Sequence, residues 1–146
     1  MENKDFIIWL AGFFDGEGNI NISFPNKVIQ IKIQICQNEK NILEKIKQFL
    51  SISNKIQTQK TGNYILAITN KYDCYRFIKL IIPYSILKNK QLKIVLEILS
   101  ELKLNIQDRN KKFLFNKIKE LNMERYHYNK RIQSNKYTNK LEKYTK

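Results

Sequence analysis

The sequence is short of several residue types, and each shortage closes a class of function. It has one histidine, His127, in a polar, tyrosine-rich stretch. Zinc fingers and nuclease chemistries built on clustered imidazoles are therefore excluded. Its two cysteines, Cys36 and Cys74, share no metal-type spacing and read as reduced core thiols in a reducing compartment. No apolar run approaches the ~18 residues that a bilayer-spanning helix needs. The N-terminal MENKDF lacks the basic, apolar and small-residue order of a signal peptide. These absences lead us to expect an intracellular protein with no membrane partner.

Acidic residues are scarce too. There are 13 Asp and Glu against 27 Lys and Arg, a formal charge of +14 over 146 residues. Such a balance calls for a polyanionic partner, nucleic acid first and an anionic membrane surface second. With 42% hydrophobic and 12% aromatic residues, the chain is too apolar for a disordered polycation and long enough for one packed core. Ile (23), Lys (23) and Asn (17) dominate the composition, and their codons are AT-rich. Part of the lysine content thus reflects the coding genome, which points to an AT-rich host: a mitochondrion, a chloroplast or a microbe. Arginine numbers only four. Charge says polyanion, but not which one.

Three of the four glycines, Gly12, Gly16 and Gly18, fall within seven residues. Upstream, Asp5 to Phe14 has an apolar helical pattern, with Asp5 as N-cap and a helix stop at Gly16–Gly18 in left-handed geometry. Two alternating strands follow, Asn19 to Phe24 and Lys27 to Cys36, joined at Pro25-Asn26 as a hairpin. Glu39 to Leu50 turns helical. Lys55 to Lys60 and Asn63 to Thr69 form a second hairpin about Thr61-Gly62. Helices are expected at about Tyr72 to Ile82, stopped by Pro83, at about Lys90 to Leu104, and at about Lys111 to Met123. The fold class is α+β, in the order α-β-β-α-β-β-α, with a four-stranded antiparallel sheet backed by helices. Residues 1–124 make one domain. Residues 125–146 hold seven Lys and Arg and one acid, and are expected to be a poorly ordered basic tail.

The outer sheet face should display Asn19, Asn21 and Ser23 from the first strand and Gln30, Lys32 and Gln34 from the second. Lys55, Gln57 and Gln59 would come from the third strand, with Asn63 and Thr69 from the fourth. That face holds no Asp or Glu. Amides can make bidentate contacts to base edges and lysines can reach phosphates, so the pattern fits a β-ribbon in a DNA major groove.

The string Leu10-Ala11-Gly12-Phe13-Phe14-Asp15-Gly16-Glu17-Gly18 resembles the motif that defines the LAGLIDADG homing endonucleases. It closes an apolar helix and precedes an alternating strand, as in that family. The likeness runs over about residues 5 to 100, in the style of the single-motif, I-CreI-like branch. Ile33-Gln34-Ile35-Cys36-Gln37 and Leu87-Lys88-Asn89-Lys90-Gln91 also look like that branch.

The resemblance implies a site-specific, divalent-metal-dependent endonuclease that hydrolyses phosphodiesters of double-stranded DNA at a long pseudo-palindromic site. Glu17 matches the family's metal-binding acid, with the Gly16 carbonyl as its companion. Asp15 matches the motif's other acid, expected in helix capping and interface structure. Gln37 resembles a residue that positions water, and Lys88 a basic residue at the cleavage site, for charge stabilisation or proton transfer. Carboxylate ligands favour Mg²⁺, with Mn²⁺ or Ca²⁺ able to occupy the same site.

Gly12 and Gly16 lie four apart, on one helix face, so two such helices can approach backbone to backbone. With one motif per chain, a second carboxylate must come from another copy, hence a C2 homodimer. Its interface would be drawn from Trp9, Ala11, Gly12, Phe13, Asp15 and Gly16. The rival reading is a LAGLIDADG maturase that binds intron RNA, or a DNA-binding protein that does not cleave.

Overall fold

The apolar positions between Phe6 and Phe14 recur at helical spacing, and they sit on one helix, α1 (Asn3–Glu17). The computed structural model describes residues 3–23, 28–103 and 111–145, without the side chains of 103, 111, 112 and 131–145. At both ends α1 is longer than its sequence pattern suggests. Asp5 lies inside the first turn instead of capping it, where a carboxylate still complements the positive end of the helix dipole. Gly16 is helical, and the chain enters β1 (Gly18–Ser23) without left-handed geometry. Gly18 is required for a different reason: a Cβ there would overlap the ring of Phe14, which is fully buried.

β1 and β2 (Gln30–Gln37) form the expected antiparallel pair, with Asn19 opposite Gln34 and Asn21 opposite Lys32. The expected turn at Pro25-Asn26, with the strand ends Phe24 and Lys27, lies outside the described residues. β4 (Tyr64–Ile68) pairs with β2, placing Ala67 opposite Gln34, and β3 (Gln57–Thr58) pairs with β4. The sheet order is β1-β2-β4-β3.

β3 is far shorter than Lys55 to Lys60. Upstream of Gln57 Lys55 stands outside the ladder, and Asn54 Nδ2 donates to Thr69 Oγ1, just past β4, at 3.2 Å. Downstream, the chain turns through Lys60-Thr61-Gly62. Gly62 has φ +87°, its N–H donates to the Gln59 carbonyl at 3.0 Å, and the Gln59 N–H donates to Asn63 at 2.8 Å. That is a three-residue hairpin loop with glycine in the left-handed position.

Alternation then fixes the layers. Ile20, Ile31, Ile33, Ile35, Leu66 and Ile68 are buried on one sheet face, against α1, α2 (Lys40–Leu50) and α3 (Lys71–Ile81). Ser51 ends α2 in the left-handed region (φ 54°), and the Asn70 side chain caps α3 by accepting from the Asp73 N–H at 3.1 Å. α4 (Asn89–Lys103) begins one residue before the expected Lys90; the expected end, Leu104, lies outside the described residues.

α5 (Lys111–Thr145) continues well past Met123. The basic stretch at 125–145 is part of the same helix. No glycine or proline interrupts residues 111–145. Leu114, Ile118 and Leu121 anchor the first half at i, i+4, i+7 spacing, and Lys117 meets Glu97 of α4 at 2.5 Å. Among the described residues, no helix is long and apolar enough to cross a membrane.

Candidate active site at the end of the motif helix

α1 has two differently used sides. Leu10, Ala11, Phe14 and Asp15 face inward and are buried. Ile8 (42% exposed), Trp9 (37%), Gly12 and Gly16 lie outward, with Phe13 half-buried and stacked on Trp9 at 4.9 Å between ring centroids. A Cβ at Gly12 or Gly16 would meet open space. Of the six expected interface residues, Trp9, Gly12, Phe13 and Gly16 thus form an exposed face. Ala11 (0%) and Asp15 (5%) have no surface left to offer a second chain. The spacing explains this: 11 and 15 follow 10 and 14 around the helix and share their inward side.

Asp15 acts instead within the chain. Its carboxylate accepts from Ser85 Oγ at 2.5 Å and from the backbone N–H groups of Ile86, Leu87 and Lys88 at 2.7, 3.1 and 3.2 Å. Those amides belong to the turn that leads into α4, whose first helical bond runs from Leu92 N–H to the Lys88 carbonyl at 2.9 Å. Asp15 thus ties the end of α1 to a turn seventy residues along the chain. Burial alone would raise its pKa, but the Ser85 hydroxyl and the three amides outweigh it and hold the carboxyl below the ordinary value.

The same contacts deliver Lys88. Its side chain is 4% exposed, and Nζ donates to the Asp15 carbonyl oxygen and to the Tyr128 hydroxyl at 3.3 Å. Burial lowers the Lys88 pKa, while the charges of Asp15 and Glu17 oppose that shift. The ammonium therefore sits against the last turn of α1, beside an exposed Glu17. Gln37, the last residue of β2, is half-buried, and its Oε1 accepts from the Asn38 N–H at 2.8 Å. Glu17, Gly16 and Lys88 are brought together, and Gln37 closes the strand that pairs with β1.

On the outer sheet face Asn19, Asn21, Ser23, Gln30, Lys32, Gln57 and Gln59 are exposed, and Gln34 and Asn63 are half-buried. Lys55 is exposed on the loop before β3. The register adds Cys36, Ile65 and Ala67 to the middle of this face, a small apolar patch between the amides. Sequence reasoning passed over Ile65 and Ala67, because Tyr64 to Ile68 reads as a continuous apolar run. Arg125 and Tyr128 were missed as well. They reach Asn19 Oδ1 and the Asp15 carbonyl oxygen, at 3.1 and 3.0 Å, from a helix expected to end before them.

Among the described residues, no group of three or more His, Cys, Asp or Glu could hold a metal ion. One exposed carboxylate and a neighbouring backbone carbonyl per chain are hard oxygen donors. They suit a hard divalent ion.

The sequence profile of the LAGLIDADG endonucleases matches residues 10–98. The chain belongs to that family. Over 109 residues it is 28% identical to DNA endonuclease I-CreI of Chlamydomonas reinhardtii, covering 68% of this chain and 66% of that relative's length. The homing endonuclease I-CvuI, solved with its target in 2 mM Ca, superposes with a TM-score of 0.69 at 22% identity, over 83% of this chain and 82% of its own. The LAGLIDADG meganuclease I-AabMI, bound to uncleaved DNA, gives 0.66 at 26% identity, over 79% of this chain but only 43% of its own. In this LAGLIDADG endonuclease, then, the acid-free sheet face and the exposed face of α1 both end near Glu17.

Proposed function

We propose that the protein is a site-specific double-strand DNA endonuclease that works as a homodimer. The observation that carries this reading is the end of α1. An exposed carboxylate, Glu17, and a buried ammonium, Lys88, lie together beside the start of an acid-free amide face.

In this reading the outer face of the sheet lies along the major groove. Asn19, Asn21, Gln30, Gln34, Gln57 and Gln59 offer amides to base edges, and Lys32 and Lys55 meet phosphates. Ile65, Ala67 and Cys36 suit thymine methyl groups. Eight residues of β2 rise about 27 Å, close to eight base pairs at ~3.4 Å per step. Two copies would then lay strands over roughly sixteen base pairs, with loops extending that length.

The exposed stripe of Ile8, Trp9, Gly12, Phe13 and Gly16 is the surface on which a second copy docks, bringing two Glu17 carboxylates to one axis. I-AabMI supports this arrangement, because the chain matches less than half of that longer protein. Glu17 and the Gly16 carbonyl would hold Mg²⁺, with Mn²⁺ or Ca²⁺ as substitutes; when bound, the ion supplies Lewis acidity toward water and the leaving oxygen. Lys88 contributes positive charge where a phosphodiester gains negative charge during cleavage. Gln37, at the end of β2, is assigned to orienting water.

The test is cleavage of duplex DNA made by joining the sequences that flank the insertion carrying this reading frame. Wild type with Mg²⁺ is expected to cut it and Glu17→Gln to bind without cutting. If both proteins are inert toward the duplex while both bind intron RNA, the maturase reading replaces this one.

A further inference from the structure

We propose that Tyr128 of α5 is a positioning residue for Lys88, which makes the C-terminal helix part of the cleavage apparatus. The proposal rests on the reading of Lys88 and Glu17 as parts of a cleavage site. Three contacts carry it. The Tyr128 hydroxyl donates to the Asp15 carbonyl oxygen at 3.0 Å. The same hydroxyl accepts from Lys88 Nζ at 3.3 Å, and Nζ also donates to that carbonyl. A carbonyl oxygen has two lone pairs and a phenol is both donor and acceptor, so the triangle is satisfied without conflict. Finally, Nζ lies 4.7 Å from the centroid of the Tyr128 ring, within cation–π range.

A lysine ends in a flexible four-carbon stem, and its ammonium gains a fixed place only from its partners. Here the partners set the charge against the residue that precedes Gly16 and Glu17. Desolvation makes an unpartnered ammonium costly at this depth, and Tyr128 supplies both the acceptor and the π face. α5 is held beside this point independently. Arg125, three residues before Tyr128 and on the same helix face, donates to Asn19 Oδ1 at 3.1 Å. The helix therefore touches both the first strand of the DNA-facing sheet and the lysine of the site.

The test is a double-mutant cycle on the full chain, with Tyr128→Phe, Lys88→Met and their combination. Each is assayed for single-turnover cleavage of the joined-flank duplex in Mg²⁺, for duplex binding in Ca²⁺ and for melting temperature. Tyr128→Phe keeps the ring and loses the hydroxyl. It is expected to slow cleavage about 10-fold at unchanged duplex affinity, the size typical of a residue that orients a reacting group. In the Lys88→Met background it should cost nothing further. A loss of folding would act in both backgrounds, so the cycle separates positioning from stability. Wild-type cleavage by Tyr128→Phe, or losses that simply multiply in the combination, overturns the proposal. A wild type that leaves the duplex intact overturns the reading beneath it.

Discussion

The two sides of α1 belong to one helix and do opposite work. The inward side (Leu10, Ala11, Phe14 and Asp15) is spent on the protomer: it fills the space over the sheet and ties α1 to the entry of α4. The outward side (Ile8, Trp9, Gly12, Phe13 and Gly16) leaves apolar and backbone surface open. In the proposed dimer this stripe, lacking a Cβ at Gly12 and Gly16, would let another helix approach closely. A substitution should therefore damage folding or assembly according to the side it strikes.

The largest separation is expected from Gly12→Glu. It places a charge on the outward side, and should leave the protomer's melting temperature within a few degrees of wild type while abolishing dimer formation and duplex cleavage. Sedimentation and a cleavage assay read the two effects. On the inward side, Asp15→Ala strands a hydroxyl and three amides that one buried carboxylate now satisfies. It should cost about 3 kcal/mol in denaturant unfolding. If Gly12→Glu unfolds the protomer while Asp15→Ala does not, the assignment of the two sides is reversed.

The glycines sharpen the contrast at smaller scale. Gly18→Ala drives a methyl group into the fully buried Phe14 ring and should destabilise by about 2 kcal/mol. Gly12→Ala meets open space in the protomer and removes a poor helix former. It should raise protomer stability by up to ~1 kcal/mol while weakening the dimer. Equal losses of protomer stability for the two would remove the distinction.

The smallest effect concerns pH. Asp15 has a folded pKa below its unfolded value. Its contribution is in full above the unfolded pKa of about 4 and is lost as pH falls through the lowered folded value. Melting temperatures between pH 2 and 6 should fall less steeply for Asp15→Asn than for wild type. An unchanged acid limb would mean that the carboxylate is not the group being titrated.

Local pattern made much of this legible. Alternation from Asn19 to Cys36 specified the strands and their faces, and the motif string located Glu17 at the end of its helix. What stayed hidden depends on partners far along the chain. Whether Asp15 faces a second chain or its own α4 turn is decided by Ser85 to Lys88, which no spacing within the motif reveals. The continuation of α5 past Met123 has few aliphatics to announce it, although residues 111–145 contain no helix breaker. Arg125 and Tyr128 stayed hidden with it, since a contact from a helix cannot be foreseen when the helix is not.

The central claim is that two copies, joined through the outward side of α1, must each bring Glu17 to the same cleavage event. It is tested most directly by refolding wild type and Glu17→Gln together in equal amounts and measuring double-strand cleavage at fixed total protein. If both carboxylates of a randomly assorted pair are required, activity should fall to about one quarter of wild type. A fall to only about one half would show each copy cutting on its own, and would contradict the account.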